Sequence, residues 1–112
     1  MDEISFAEFG KVALCVGTII KAEEFKEARK PAYILHVDFG ADIGVRKSSA
    51  QITDLYGLED LMGKQVVGVV NFPKKQIGPI MSECLITGFY NAEGHVALAV
   101  PDKPVPNGSR LA

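Results

Sequence analysis

The run from Gly63 to Glu83 constrains the fold more than any other part of this chain. After a Gly-Lys pair it contains a group of β-branched residues, Val66, Val67, Val69 and Val70, which predicts a buried strand. That strand has to end at Pro73, because proline has no backbone N–H with which to continue a hydrogen-bonded ladder. Lys74 and Lys75 follow at the strand exit, and a Gly-Pro turn leads back into extended structure. The sequence therefore predicts a surface where cations and polar groups gather around one strand end.

Alternating apolar residues predict the other strands of a small β-barrel. In the first strand Val12, Leu14 and Val16 share one face, and Gly17 is expected to form a bulge that lets Ile19 rejoin the core. In the second strand the inward residues are Tyr33, Leu35 and Val37. The predicted strands are 11–22, 32–38, 45–49, 65–71 and about 80–87, and a hairpin turn at 91–94 returns through 95–100.

Two short helices and an extended tail complete the prediction. Ser5 and Glu8 have the spacing of a capping box, which predicts an N-terminal helix within residues 1–10. Apolar residues recur at helical spacing over 52–62, with an interruption at Gly57, so a second short helix is expected between strands three and four. Residues 101–112 contain three prolines and are expected to be an extended C-terminal tail rather than an element.

Length and composition are those of one self-supporting domain. The chain has 112 residues, of which 47% are apolar, enough for a core without disulfides or metal. Cys15 and Cys84 lie in apolar stretches and are expected to be buried, reduced thiols. The acidic N-terminus does not resemble an export signal, and no apolar run reaches the ~20 residues that cross a bilayer. We therefore expect a cytoplasmic protein without membrane insertion.

The charge balance argues against strong non-specific binding to nucleic acid. The net charge is −2 and the pI is near 5.6, whereas such binders usually have a pI above about 9. Residues 44–82 nevertheless carry five cations and three anions, so a modest basic patch is expected there.

Catalytic and metal functions have little support in the sequence. Motifs for nucleotide binding, zinc proteases and serine hydrolases are absent, and the two cysteines are far apart. His36 is expected on the outer face of its strand, and His95 follows a hairpin turn. No His or Cys pair has the close spacing of a zinc site. We expect a non-enzymatic protein with no catalytic residue, no metal and no cofactor.

Two basic segments are candidates for ligand contact. Lys74 and Lys75 either discourage strand-edge pairing as solvated charges or bind phosphate or an acidic ligand. The segment Arg46-Lys47-Ser48-Ser49 alternates in side-chain direction, so only one residue pair can face a groove, and Lys47 with Ser49 is favoured. Aromatic residues are sparse and there is no Trp, which favours recognition of folded RNA shape over base stacking, although Phe72, Phe89 and Tyr90 are candidates for exposure.

The order GK-x-V-V-x-V-x-N-F-P, then KK, Gly and Ser-Glu, resembles the EMAP-II/Trbp111-type tRNA-binding domain. Val16-Gly17-Thr18-Ile19, Val37-Asp38-Phe39-Gly40 and Val105-Pro106-Asn107-Gly108 extend the similarity over the whole chain. The strings KAEEFKEAR, HVDFG, KSSAQIT and PDKPVPNG are similar to the CsaA-type secretion chaperones of that family. The resemblance implies an all-β, five-stranded OB-fold barrel and a homodimer.

The resemblance also implies the position of a tRNA- or peptide-binding site. Its expected residues are Lys47, Ser49, Gln51, Asn71, Phe72, Lys74, Lys75, Ser82 and Glu83. The chain departs from the usual family pattern at Ala13, Cys15, Ala50-Gln51 and Cys84-Leu85, which removes charge and makes the region more apolar. We therefore expect a chaperone for unfolded preproteins that also binds tRNA; the alternative is a structure-selective tRNA-binding protein without a chaperone role.

Overall fold

The computed structural model describes residues 1–112 and consists mainly of short antiparallel strands. The elements are α1 Phe6–Gly10, β1 Leu14–Glu24, β2 Tyr33–Asp38, β3 Val45–Ala50, α2 Leu58–Leu61, β4 Gln65–Val69, β5 Lys75–Ile77, β6 Ile80–Ser82, β7 Leu85–Ile86, β8 Gly88–Tyr90 and β9 Val96–Leu98. No helix is long and apolar enough to span a bilayer.

Five strands form the central sheet in the order β3-β2-β1-β4-β7, with every pair antiparallel. The first half of β1 pairs with β4 and its second half pairs with β2, with a register shift between Ile19 and Lys21. One long, bent strand thus belongs to both sides of the sheet and lets it curl into a barrel. This confirms the predicted all-β, five-stranded OB-fold barrel.

The core fills the inside of the barrel with residues from every strand of the sheet. Leu35 and Val37 are fully buried and Tyr33 is 9% exposed, which confirms the predicted inward face of the second strand. The first strand fits its prediction in part: Val16 and Ile19 are buried as predicted, whereas Val12 is 39% exposed and lies outside the strand. Cys15 joins Ile19 in the core.

Gly17 does not form the predicted bulge, which lies three residues later. A Cβ atom at Gly17 would lie 2.6 Å from Val37 Cγ1 and 2.7 Å from Phe39 Cδ1. Phe39 is 1% exposed and packs in the space that the missing side chain leaves. The glycine is therefore required for close packing of the core rather than for a change in strand direction.

The predicted fifth strand is divided into two strands with different partners. β5 and β6 form a hairpin of their own around Gly78-Pro79, and Gly78 has a φ of 56°. β7 returns to the main sheet beside β4. The turn was therefore predicted correctly, but the single strand over 80–87 was not, because Glu83 and Cys84 leave the ladder.

The C-terminal tail is attached to the barrel more firmly than its prolines predict. The Val16 N–H donates to the Ser109 carbonyl at 2.9 Å, and Cys15 forms an isolated bridge with Arg110. Gln65 Nε2 donates to the Val105 carbonyl at 2.6 Å, and the Val105 N–H donates to Gln65 Oε1 at 3.1 Å. The tail thus pairs with the part of β1 that β2 does not reach.

Both predicted helices exist, and both are short. The Glu8 N–H donates to Ser5 Oγ and the Ser5 N–H donates to Glu8 Oε1, each at 3.0 Å, so the capping box is confirmed. No residue of α1 is buried. α2 is a single turn; Leu61 is fully buried in the core, while Met62 beside it is 52% exposed.

We expect Gly17→Ala to lower the free energy of unfolding by about 1–3 kcal/mol, because the added methyl group forces Val37 or Phe39 away from its packed position. Urea denaturation checks this. Gly10→Ala is the matched control, since a Cβ there meets nothing within 4 Å and should leave the free energy of unfolding unchanged or slightly higher. Equal stability of Gly17→Ala and the parent would contradict the packing role.

Candidate functional site

An open cleft lies between β3, the end of β4 and the β5–β6 hairpin. Its volume is about 500 Å³, within the range of natural ligand sites. We call it the apolar cleft, because carbon atoms make up most of its surface. It is lined by Ser48, Ser49, Phe72, Pro73, Lys74, Lys75, Ile77, Ser82, Cys84 and Leu85.

The hairpin supplies one wall of the apolar cleft. Lys75 pairs with Ser82 and Ile77 pairs with Ile80, so these four side chains share one face. Ile77 and Ile80 pack on a small second core made by Phe25, Ala32 and Ile34. That packing fixes the hairpin against the barrel and points Lys75 and Ser82 toward the opening.

Glu83 fixes the other side of the apolar cleft by binding the backbone of β3. Its N–H donates to the Lys47 carbonyl at 2.7 Å, and its Oε1 accepts from the Lys47 N–H at 3.0 Å. Its Oε2 lies 3.5 Å from Lys74 Nζ. The pKa of Glu83 lies below its ordinary value of 4.5, mainly because of the hydrogen bond from Lys47; burial opposes this effect and the Lys74 ammonium adds to it.

The floor of the apolar cleft is neutral. Burial raises the pKa of Cys84 to about 12, so its thiol keeps its proton and behaves as a small apolar group. The thiol points to the Lys47 carbonyl at 3.8 Å. Ser48 is 1% exposed and donates its hydroxyl hydrogen to the Ser49 carbonyl at 3.1 Å. These groups therefore place no charge on the floor.

Five of the nine site residues expected from the sequence line the apolar cleft together: Ser49, Phe72, Lys74, Lys75 and Ser82. Four do not line it: Lys47, Gln51, Asn71 and Glu83. Gln51 lies in a neighbouring depression, and Lys47 contributes its backbone to the bond with Glu83 rather than its ammonium group to the cleft. Lys47 and Ser49 share the outer face of β3, and Ser49 lines the apolar cleft.

Asn71 and Arg46 hold strand ends. Asn71 Oδ1 accepts from the Ala13 N–H at 2.9 Å, and its Nδ2 donates to the Lys11 carbonyl at 2.7 Å. Arg46 Nη1 donates to the Val70 carbonyl at 2.8 Å, which joins β3 to the end of β4. Both side chains shape the cleft indirectly, because they position the segment that carries Phe72 and Lys74.

Sequence reasoning missed the apolar half of the lining, which includes Ile77, Cys84 and Leu85. One signal for it was present: Cys84-Leu85 departs from the usual family pattern in the apolar direction. Ile77 gave no signal, because its role depends on how the hairpin folds onto the barrel.

Each of the two histidines lies beside one carboxylate, and neither histidine lines the apolar cleft. His36 Nε2 lies 3.5 Å from Glu23 Oε1, and His95 Nε2 lies 3.7 Å from Asp54 Oδ1. No group of three or more His, Cys, Asp or Glu side chains is arranged to hold a metal ion.

The fold and the cleft together define the class of protein: it is an OB-type antiparallel barrel with a ligand-sized cleft on one face. Solved structures share this architecture along their full length. Chaperone CsaA from Bacillus anthracis is 45% identical with a TM-score of 0.92, covering 99% of this chain and all of that one. CsaA chaperone protein from Picrophilus torridus is 44% identical with a TM-score of 0.91, covering 98% of this chain and all of that one.

The family model described as "Putative tRNA binding domain" matches residues 14–110. A curated relative, methionine–tRNA ligase of Flavobacterium johnsoniae, is 33% identical over 110 residues. Those residues are 98% of this chain and 15% of the ligase, so the chain spans only a small part of that relative. The chain belongs to the tRNA-binding domain family, and within it to the CsaA type.

We expect Glu83→Ala to destabilise the fold by about 1–3 kcal/mol, because it leaves the Lys47 N–H without a partner. Glu83→Gln is the matched variant: its amide oxygen still accepts that hydrogen bond, so it should lower the free energy of unfolding by less than Glu83→Ala does.

The charge of Glu83 should make its contribution to stability depend on pH. Because folding lowers the pKa of Glu83, the contribution of the carboxylate to the free energy of unfolding is complete above pH 4.5 and is lost as the pH falls through the lower pKa of the folded state. Urea denaturation between about pH 3 and 7 should therefore show that the free energies of unfolding of the parent and of Glu83→Gln approach each other as the pH falls. A constant difference across that range would contradict the role given to the charge.

Proposed function

We propose that the apolar cleft binds unfolded segments of preproteins and that the protein acts as a CsaA-like secretion chaperone. The observation that carries this proposal is the lining: apolar groups form the floor and walls, and lysines stand at the rim. Unfolded chains expose apolar side chains next to polar backbone, and a cleft of this composition complements both. Two solved structures named as CsaA chaperones, with high similarity over the full length, support the same function.

The details of the lining support binding without strong sequence preference. Phe72 is 54% exposed and offers a flat apolar surface, while the hydroxyl groups of Ser49 and Ser82 can pair with peptide N–H and C=O groups. Lys75 is in no ion pair and is free to attract acidic residues of a client. The net charge of −2 also disfavours a mode of binding that depends mainly on polyanions.

A second candidate function is tRNA binding, with or without the chaperone role. The family match and the similarity to methionine–tRNA ligases favour it. In this mode Lys74 and Lys75 would contact phosphate groups.

The two cysteines are both buried and free, which agrees with a reducing compartment. We therefore propose the cytoplasm as the location for either function.

Titrations at about 50 and 200 mM salt separate the two candidate functions. We expect a labelled unfolded preprotein to bind with little salt dependence, because apolar contacts dominate its binding. Labelled tRNA should lose affinity steeply, because each neutralised phosphate releases a counterion. The chaperone proposal would give way to tRNA binding if the parent binds tRNA with micromolar or tighter affinity, Lys75→Ala abolishes that binding, and no preprotein binding is found.

We expect Phe72→Ala to weaken preprotein binding about 5-fold or more, because it removes the one aromatic side chain that lines the cleft. Phe89→Ala is the matched control: Phe89 is 73% exposed and does not line the apolar cleft. Fluorescence anisotropy with a labelled unfolded preprotein measures both variants. If the two substitutions weaken binding equally, the cleft is not the binding site.

We also propose a homodimer, because one end of the molecule exposes apolar residues without a cover. Phe6 is 86% exposed and Ile4 is 65% exposed, and α1 buries none of its residues. Leu111 adds a 51% exposed side chain, and Arg110 Nη2 donates to the Gly10 carbonyl at 2.7 Å, which brings the two chain termini together. A two-fold partner would cover this surface with a copy of itself.

Sedimentation should give twice the chain mass of 12.1 kDa for the parent. We expect Phe6→Ser to shift the equilibrium toward the monomer, because it replaces the most exposed aromatic group of this surface with a polar one. Leu55→Ser is the control, since Leu55 is exposed but lies outside the two termini. A parent that sediments as a monomer at all concentrations would exclude the homodimer.

A further inference from the structure

The apolar cleft runs along the edge of a strand. Ser48 and Ser49 are consecutive in β3, so their side chains point to opposite faces of the sheet, yet both residues line the cleft. A cleft that touches both residues must reach the edge of the strand, where the backbone forms part of the wall. β3 is a terminal strand of the five-stranded sheet, and no ladder pairs with its outer edge. We call the part of this edge at Ser49 the open edge.

The hydrogen bonds of β3 determine which backbone groups face the open edge. In an antiparallel ladder, residue pairs that exchange hydrogen bonds alternate with pairs that do not. The N–H and the carbonyl of Lys47 both bond to Glu83, so the pair of Lys47 with His36 exchanges none. Ser49 lies two residues further along, pairs with Ile34 and follows the same rule. The N–H and the carbonyl of Ser49 therefore point away from β2 and toward the cleft.

These backbone groups can bond to an extended chain. The Ser49 carbonyl accepts from the Ser48 hydroxyl at 3.1 Å and has a second lone pair for another donor. The edge at Lys47 is already filled, because Glu83 bonds there as a neighbouring strand would. Glu83 thus marks one end of the open edge, and an added strand would continue the pairing from Ser49 onward.

The charges around the open edge favour an acidic ligand over a second copy of this chain. The ten residues that line the cleft include Lys74 and Lys75 but no carboxylate, although the whole chain has a net charge of −2. Lys74 lies 3.5 Å from Glu83, whereas Lys75 takes part in none of the three ion pairs. Two copies paired through their β3 edges would bring Lys47 and Lys75 of both chains together, and like charges on facing strands are unfavourable. A strand with carboxylates at the rim avoids this repulsion.

We propose that the apolar cleft binds its client as an added β-strand, with the client backbone paired to Ser49 at the open edge. Successive side chains of a strand point in opposite directions, so alternate client residues would face the apolar wall at Phe72 and Leu85. The residues between them would face Lys75 and Ser82. The expected substrate class is an extended segment in which apolar residues alternate with acidic or polar ones. The inference rests on the proposed chaperone function and defines the client conformation that the cleft accepts.

Two labelled peptides of identical composition test the alternation. One alternates glutamate with valine, and the other carries the same residues with all its valines in one block. We expect the full-length protein to bind the alternating peptide about 10-fold more tightly, because only that peptide places every apolar side chain on one face of a strand. Fluorescence anisotropy measures both affinities. Equal affinity for the two peptides would overturn the proposal.

Methylation of the peptide backbone tests the pairing itself. In a strand the N–H groups of alternate residues point to opposite sides, so only one set can reach Ser49. The alternating peptide is therefore made in two further forms, with N-methyl groups on every valine or on every glutamate. We expect one form to bind about 10-fold more weakly, because its methyl groups remove the donors that face the open edge, and the other to bind as the unmodified peptide does. Equal effects of the two methylation patterns would contradict strand addition.

Ser49→Pro tests the open edge from the side of the protein. Proline removes the N–H that faces the cleft, and the β2–β3 ladder does not use that N–H, so an edge strand can accept the change. Ser49→Ala is the matched variant, because it loses the hydroxyl group but keeps the N–H. We expect Ser49→Pro to weaken binding of the alternating peptide about 5-fold more than Ser49→Ala does. Equal losses in the two variants would overturn the proposal.

Two controls accompany these variants. Urea denaturation shows whether Ser49→Pro is folded, and the methylated peptides, which use the parent protein, decide the question if it is not. Sedimentation shows whether the open edge pairs with a second copy. If Ser49→Pro sediments as a smaller species than the parent, the edge belongs to a contact between copies and the proposal is wrong.

Binding of an unfolded preprotein separates this inference from the proposed chaperone function. If the parent binds the preprotein but treats both methylated peptides alike, the chaperone function stands and strand addition fails. If the parent binds neither the preprotein nor the alternating peptide, both fail.

Discussion

The Glu83 carboxylate holds the barrel closed, because it accepts a hydrogen bond from the backbone of β3 as the carbonyl of a neighbouring strand would. β3 and β7 are the two ends of the five-stranded sheet, and no ladder joins them. The reciprocal hydrogen bonds between Lys47 and Glu83 span this gap, and the Cys84 thiol reaches the same Lys47 carbonyl. The hydrogen bond from the Lys47 N–H lowers the pKa of Glu83, and the Lys74 ammonium adds to this, so the carboxylate keeps its charge and this bond at neutral pH. The apolar cleft opens beside this seam, so the contacts that close the barrel also form one side of the cleft.

Two other side chains extend the backbone ladder where a strand stops. Asn71 accepts from Ala13 and donates to Lys11, and so continues the β1–β4 pairing past the last paired residue of β4. At the opposite end of β4, Gln65 makes the same two kinds of bond with Val105 of the tail. A side-chain amide has one donor and one acceptor group, as a peptide unit does, and therefore satisfies backbone groups that proline-containing neighbours leave free. The chain uses these polar side chains to continue hydrogen bonding where β4 stops.

Local patterns predicted the parts of the fold that depend on nearby residues. The alternation of Tyr33, Leu35 and Val37 identified a buried strand face, and Ser5 with Glu8 identified a helix cap. Two of the errors concern contacts between residues distant in sequence: the absence of a side chain at Gly17 matters because of Phe39, and the break of the fifth strand accompanies the bond of Glu83 to β3. Residues expected to bind a ligand, such as Asn71 and Glu83, were recognised as unusual, but their partners lie in the protein itself. Sequence reasoning thus grouped five residues that line one cleft with others that support it, and did not separate the two.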